Sequence, residues 1–537
     1  MFFRSEKAEV KHMTAADLKT ESLTESPAVS PAEPLARGAG ILMPVSSLPS
    51  PYGIGTMGQA ALDFIDRLSA AGQRYWQVLP LGPTGYGDSP YQAFSAFAGN
   101  PYFIDPDLLV RDGLLTEEEI RSFAWGDDPS KVDYGKIYDG RFALFRKAYE
   151  RWKAVRTAEN AAEYEQFQKA QEFWLDDYAL YMACKKDSGD LPWTEWEDGL
   201  RLREPEALDR FRAEHESDIE YWKFLQFVFF GQWKTVRKYA EDRGVRMIGD
   251  MPLYVALDSA DCWSRSRYFQ TDRQTRLPRE VAGVPPDAFS ADGQLWGNPL
   301  YDWDEMEQDG FLWWKERIRA NAELYDAVRI DHFIGTVRYY AIPVGETTAK
   351  NGTYRKGPGA ALFTALLKEL EGTGTKIIAE DLGVFVPEVE ALLRQFGFPG
   401  MKVLEFAFGG DRKNPHLPMN YTENCICYGG THDNETMAGY FLSGQRPWWE
   451  MQYVKDYLGV TDENRLMDML FRAGYGSVAS VVIFQMQDVL GLDNRARMNT
   501  PGTFGDNWSW RMLPGAFTDE RVGYLAGLAD IYGRKPQ

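Results

Sequence analysis

The sequence predicts an α/β chain folded as a (β/α)8 TIM barrel with inserted, mainly helical subdomains. Eight short apolar runs rich in β-branched residues recur from residue 38 onward, at 41–45, 75–79, 245–249, 327–330, 376–379, 401–406, 425–429 and 480–484. Such runs are the pattern of buried strands, and helical patterns lie between them. Three runs also end abruptly in charged residues: AVRIDHFIG (327–335), TKIIAEDLG (375–383) and CICYGGTHDNET (425–436). Strands alternating with helices pair in parallel, and a parallel barrel gathers its reactive groups at the carboxyl ends of its strands. A doubly wound sheet with a second domain fits the same element count.

Residues 1–37 are dominated by Glu, Ser, Thr, Ala and Pro (ESLTESPAVSPAEPLA) and predict a disordered tail. The acidic residues there argue against an organellar transit peptide. Residues 38–537 then form the catalytic barrel. The gap between the second and third runs is too long for one crossover helix. At about 106–244 it has a helical rhythm instead, with Phe142, Phe145, Tyr149 and Trp152 on one stripe and Phe167, Trp174, Tyr178 and Tyr181 on another. A helical insertion follows, with those stripes as its core. The segment at about 282–304 carries Pro-Pro, glycines and Trp296. It predicts a loop that folds over a substrate or a rigid surface connection.

Asp and Glu number 79 against 59 Lys and Arg, a formal charge of -20 that repels nucleic acid and anionic membrane surfaces. No stretch reaches the roughly 18–20 apolar residues of a membrane span. The four cysteines make no CxxC pair, consistent with a reduced, cytoplasmic compartment. Aromatics reach 14%, including 17 Trp and 28 Tyr. They suit either stacking on neutral, hydroxyl-rich ligands or a Trp-rich helical core.

The strand ends carry the chemistry. In AVRIDHF, alternation puts Arg329 and Asp331 on one face and Ile330 and His332 on the other. A fixed guanidinium favours an ionised Asp331 able to attack carbon, although an ordinary ion pair has the same pattern. Glu380 ends an apolar strand, where burial favours the protonated form a general acid needs. Asp381 beside it also fits a helix cap. His432 and Asp433 follow a Gly-Gly pair. An ionised and a protonated carboxyl flanking a bond are what retaining glycoside cleavage requires. A divalent metal held by acids and histidines is the competing pattern, without an HExxH, EF-hand or phosphate-binding loop to support it. Asp88, Ser89, Tyr91 and Asn100 after the second strand, and Asp258 and Trp263 after the third, could line subsites.

Eight segments in fixed order resemble the amylomaltases, or 4-alpha-glucanotransferases, of the alpha-amylase clan. They are SSLPSPYGIGTMG, WQVLPLGPTGYGDSPYQAFSAFAGNPY, GDMPLYVALDSADCW, GVPPDAFSADGQLWGNP, VRIDHFIG, AEDLG, THDNET and MNTPGT. The resemblance implies a retaining double displacement without a metal or other cofactor. It implies Asp331 as nucleophile, Glu380 as general acid/base and Asp433 as the carboxylate that binds and distorts the donor sugar. Arg329, His432, Asp250 and His332 match the residues around that site, and Gln294, Trp296 and Asn298 match its loop. Asp88, Ser89, Tyr91 and Asn499 complete the expected substrate-binding set. The substrates implied are alpha-1,4-glucans, with another glucan or glucose as acceptor. The resemblance carries no oligomeric state.

Overall fold

The computed structural model describes residues 32–85, 87–286, 290–503 and 505–536. Its strands are β1 (Gly38–Leu42), β2 (Tyr75–Gln77), β3 (Arg246–Met251), β4 (Glu280–Val284), β5 (Gln294–Pro299), β6 (Ala327–Ile330), β7 (Arg338–Pro343), β8 (Thr353–Lys356), β9 (Lys376–Ala379), β10 (Gly400–Val403), β11 (Cys425–Tyr428) and β12 (Val481–Gln485). Eight of them form one parallel sheet in the order β10-β11-β12-β1-β2-β3-β6-β9. Its two ends meet. The Ala379 N–H donates to Pro399 O at 3.0 Å, and the Met401 N–H donates to Asp381 Oδ1 at 2.7 Å. Asp381 therefore serves the seam of a (β/α)8 barrel and caps no helix.

Alternate residues of these short strands point inward, so Leu42, Tyr75, Ile248, Ala327, Ile378, Met401, Val403, Ile426, Tyr428, Val481 and Ile483 fill the barrel. All eight expected strands occur, with β1 displaced and β10 cut short at Val403, where Leu404–Phe406 turns into 3-10 helix. Strand β1 ends at Leu42, and Val45–Ser47 is a turn of 3-10 helix.

Between β2 and β3 lie helices Tyr134–Val155, Ala158–Ala170, Leu175–Asp187 and Glu216–Asp242. Asp133 starts the first by accepting the Lys136 N–H at 3.1 Å, filling one orphan donor. The aromatic stripes bury Phe145, Tyr149, Trp152, Trp174, Tyr178 and Tyr181. Trp76, Trp193, Trp233, Trp263, Trp313 and Trp314 are also fully buried, so these aromatics serve the core. Arg141 is buried there too, donating to Ile104 O (2.9 Å) and Tyr52 O (3.2 Å) beside the Trp125 ring.

The expected loop at 282–304 begins and ends in paired backbone around a loop at 285–293, of which 287–289 lie outside the described residues. Strands β4 and β5 form an antiparallel hairpin within a second sheet ordered β5-β4-β7-β8, and a helix begins at Trp303. A Pro-Pro and glycine-rich stretch read as a breaker because its pairing partner, β7, is remote in sequence. Of the expected tail, residues 1–31 lie outside the described residues. The remainder is tied down: Ala32 N–H donates to Phe396 O (2.9 Å), Tyr75 Oη to Ala36 O (2.7 Å), and Arg37 to Ala479 O (3.1 Å). Among the described residues no helix is long and apolar enough to cross a membrane.

Candidate active site

The carboxyl ends of β3, β6 and β9 continue the inward-facing columns from apolar into charged residues. Above Ile248 stands Asp250, above Ala327 stand Arg329 and then Asp331, and above Ile378 stands Glu380. Arg329 is only 3% exposed, and its Nη1 donates to Asp250 Oδ1 (2.7 Å) and Oδ2 (2.8 Å) while lying 2.9 Å from Asp331 Oδ1. One buried guanidinium thus compensates two carboxylates, as burial of such charges demands. Its own protonated form is favoured above the usual arginine range by Asp250 and Asp331, which outweigh burial.

Glu380 Oε2 accepts the His332 N–H (2.8 Å) and Oε1 the Leu382 N–H (2.9 Å). Both contacts favour the carboxylate and fix its orientation. Burial works the other way and dominates, and with Asp331 nearby it pushes the carboxyl up to about 8 despite Arg329.

Alternation along β6 stops at Asp331. His332 adopts φ 49, in the left-handed region, and a 3-10 turn begins behind it. Its ring is therefore not simply on the opposite strand face. It meets the edge of Trp296 at 4.8 Å between centroids and faces Tyr254 at 6.5 Å. Burial depresses this imidazole to about 4, so it is neutral at physiological pH. Gln294 Oε1 accepts the Trp296 Nε1–H at 3.1 Å, fixing the indole on β5. Asn298 makes two internal hydrogen bonds. Its Oδ1 accepts from Gln92 (3.1 Å) and its Nδ2 donates to Val255 O (2.8 Å). It pins the hairpin to the loops after β2 and β3.

Tyr91 joins the other half of the site. Its hydroxyl donates to Asp250 Oδ2 at 2.9 Å and lies 3.3 Å from His432 Nδ1, and its ring stacks on the imidazole at 4.9 Å. Ser89 Oγ accepts the Tyr91 N–H. Asp88, at φ 59, lines a narrow cavity with Pro44, Leu79, Tyr134, Met498 and Trp508, and burial pushes its carboxyl up to about 6. Asp433 stands at the rim with its side chain half exposed. Its Oδ1 accepts the Asn499 Nδ2–H (2.6 Å) and lies 3.5 Å from His432 Nε2. Asn100, Asp258 and Trp263 take structural roles instead. Asn100 accepts the Tyr102 N–H at the start of a 3-10 turn, Asp258 pairs with Lys185 at 2.6 Å, and Trp263 is fully buried.

Sequence reasoning missed several members. Trp508 lies 5.7 Å from Tyr91 and 5.8 Å from His432; only its place in an Asn- and Trp-rich stretch hinted at it. Arg497, which donates to Asp433 O (2.6 Å) and Asn499 O (2.7 Å), carried no signal. Nor did Glu405, buried beneath the turn that bears His432. A Cβ at Gly430 would lie 2.6 Å from Glu405 Oε1, so a side chain there would press on this carboxyl. Burial, with Asp488 and Glu435 adding to it, holds the Glu405 carboxyl well above its ordinary range. Among the described residues no three His, Cys, Asp or Glu are grouped as metal ligands.

The comparisons with known proteins agree with this geometry. The family model described as 4-alpha-glucanotransferase matches residues 43–516. A 4-alpha-glucanotransferase of Clostridium butyricum is 45% identical over 493 residues, covering 92% of this chain and 100% of that protein. The amylomaltase of Streptococcus agalactiae, solved in complex with acarbose, superposes with a TM-score of 0.89 at 39% identity, covering 93% of this chain and 100% of that one. The amylomaltase of Corynebacterium glutamicum, at 20% identity and a TM-score of 0.73, shares the fold over 92% of this chain and 75% of its own. A family match over residues 43–516 and a relative 45% identical over its whole length place the chain in the 4-alpha-glucanotransferase family.

Proposed function

We propose that this 4-alpha-glucanotransferase works by a retaining double displacement on alpha-1,4-glucans, with Asp331 as nucleophile and Glu380 as general acid/base. One observation carries the assignment. An arginine-paired carboxylate and a carboxyl pushed up to about 8 end neighbouring strands of one barrel, each suited by its environment to a different role. In the first step Asp331 attacks the anomeric carbon, the glycosidic C–O bond breaks, and Glu380 gives its proton to the departing 4-oxygen. In the second, Glu380 takes the proton of an acceptor 4-hydroxyl as that oxygen displaces Asp331. Two inversions return the alpha configuration.

Asp433, held by Asn499 and Arg497, binds the donor ring beside Asp331. Arg329 and Asp250 keep the nucleophile oriented, while Tyr91, His332 and His432 hold sugar hydroxyls. Asp88, Ser89, Gln294 and Trp296 line the approach. The acceptor is another glucan or glucose, and no metal or cofactor takes part. Four buried cysteines without a disulfide fit a reduced, cytoplasmic setting.

Incubation with maltotriose alone tests the activity. A ladder of shorter and longer glucans plus glucose, with the total of reducing ends constant, is the expected result. A rising total would mean hydrolysis instead. Glucose release from maltotriose by Asp331→Asn at the native rate would remove the nucleophile assignment.

A further inference from the structure

Most tryptophans of this chain are buried, but two adjacent ones are not. Trp448 is 80% exposed and Trp449 48%, at the start of helix Trp448–Leu458. Leu442, in the preceding helix, is also 53% exposed. Isolated surface apolar residues need no explanation, whereas a cluster containing two indoles marks a contact surface.

The helix that carries the indoles is tied to the segment that bears Asp433. Glu435, two residues beyond Asp433, accepts from Arg446 at 3.0 Å. The Arg446 guanidinium lies over the Tyr440 ring at 3.5 Å, and Tyr440 Oη donates to Glu450 Oε1 at 3.1 Å in the first turn of the tryptophan helix. Side-chain contacts thus run from Glu435 to Glu450, in the first turn of the helix that carries the two indoles.

We infer that Trp448 and Trp449 form an accessory platform for an alpha-glucan chain extending from the active site; this rests on glucan being the substrate. A sugar ring offers one face of C–H groups to an indole and hydroxyls to water at its edges, so an exposed indole recognises it without burying charge. The chain's charge of -20 disfavours polyanions as alternative occupants. An alpha-glucan donor is a polymer, so its unreacted part must leave the barrel mouth over some part of the surrounding surface.

Trp448→Ala and Trp448→Tyr test the platform on two donors, maltotriose and long-chain amylose. The alanine variant is expected to raise KM for amylose about three- to tenfold, the scale of one aromatic contact, with kcat retained. It leaves kcat/KM for maltotriose unchanged, and the tyrosine variant restores most of the amylose KM. Unchanged kinetics on both donors, or equal losses on both, would overturn the platform. So would a loss of self-association in size-exclusion chromatography without a kinetic change, which would assign the indoles to a second copy of the chain. Failure of the unsubstituted protein to disproportionate maltotriose would instead strike at the function itself.

Discussion

The lower and upper halves of the barrel interior are built on the same strands and pack by different rules. The lower half is apolar: Ile248 and Ala327 stand side by side in register, and Ile378, on the next strand, stands level with Arg329; the three apolar residues have nothing to satisfy but volume. Two residues further along the same columns stand Asp250, Arg329 and Glu380, each less than a tenth exposed. Transferring those groups out of water costs several kcal/mol each unless they are paired or neutralised. Two solutions appear side by side: Asp250 and Asp331 share one guanidinium, and Glu380 keeps its proton. Neighbouring strand ends can therefore hold carboxyl groups suited to different roles, because the pairing available to each differs.

Breaking the upper half should show first in activity. Asp331→Asn keeps the volume and removes the nucleophile, and transfer from maltotriose should fall by about 10⁴-fold or more. Glu380→Gln should lower transfer by about 10²–10⁴-fold. The pH profile sharpens the same point. With the carboxyl at about 8, kcat/KM of the native protein should decline as pH rises through about 8.

Stability carries the linked sign. The folded protein holds the Glu380 proton up to about 8, while an unfolded glutamate releases it near ~4.3. The stabilisation is fully present below ~4.3 and is lost as pH rises through about 8. Denaturant titrations across that window should show a falling stability that Glu380→Gln flattens.

Arg329→Met strands Asp250 in the interior and should cost about 3–5 kcal/mol of unfolding free energy together with activity. Ile378→Ala, one step down the Glu380 column, should cost about 2–5 kcal/mol with no change in the alkaline limb of the rate. A shifted limb there would mean the two halves are coupled. Asn499→Ala, at the exposed rim, is the mildest: a rise in KM of about tenfold or less, with the melting temperature unmoved.

Strand existence was legible wherever a short β-branched run ended in charge, as at 327–331 and 376–380, because burial on both faces leaves a continuous apolar signature. The hairpin of β4 and β5 was not legible, since its pairing with β7 joins residues some 60 positions apart. The same limit hid Arg497 and Glu405, whose roles come from what lies against them. Asn298 shows the converse. Its type and place suggest a ligand contact, and only the tertiary structure shows that its amide also bridges the loops after β2 and β3.

By itself the sequence determined the eight barrel strands, the aromatic stripes of the inserted helices and the carboxylates at three strand ends. Periodicity and charge placement are local properties that a linear chain displays. The tertiary structure decided that one arginine serves both Asp250 and Asp331, and that His332 turns aside to meet Trp296. It also decided that burial outweighs two backbone donors at Glu380. Charge state and orientation in a low-dielectric interior depend on which remote groups close around each side chain, and that is known only when the barrel is closed.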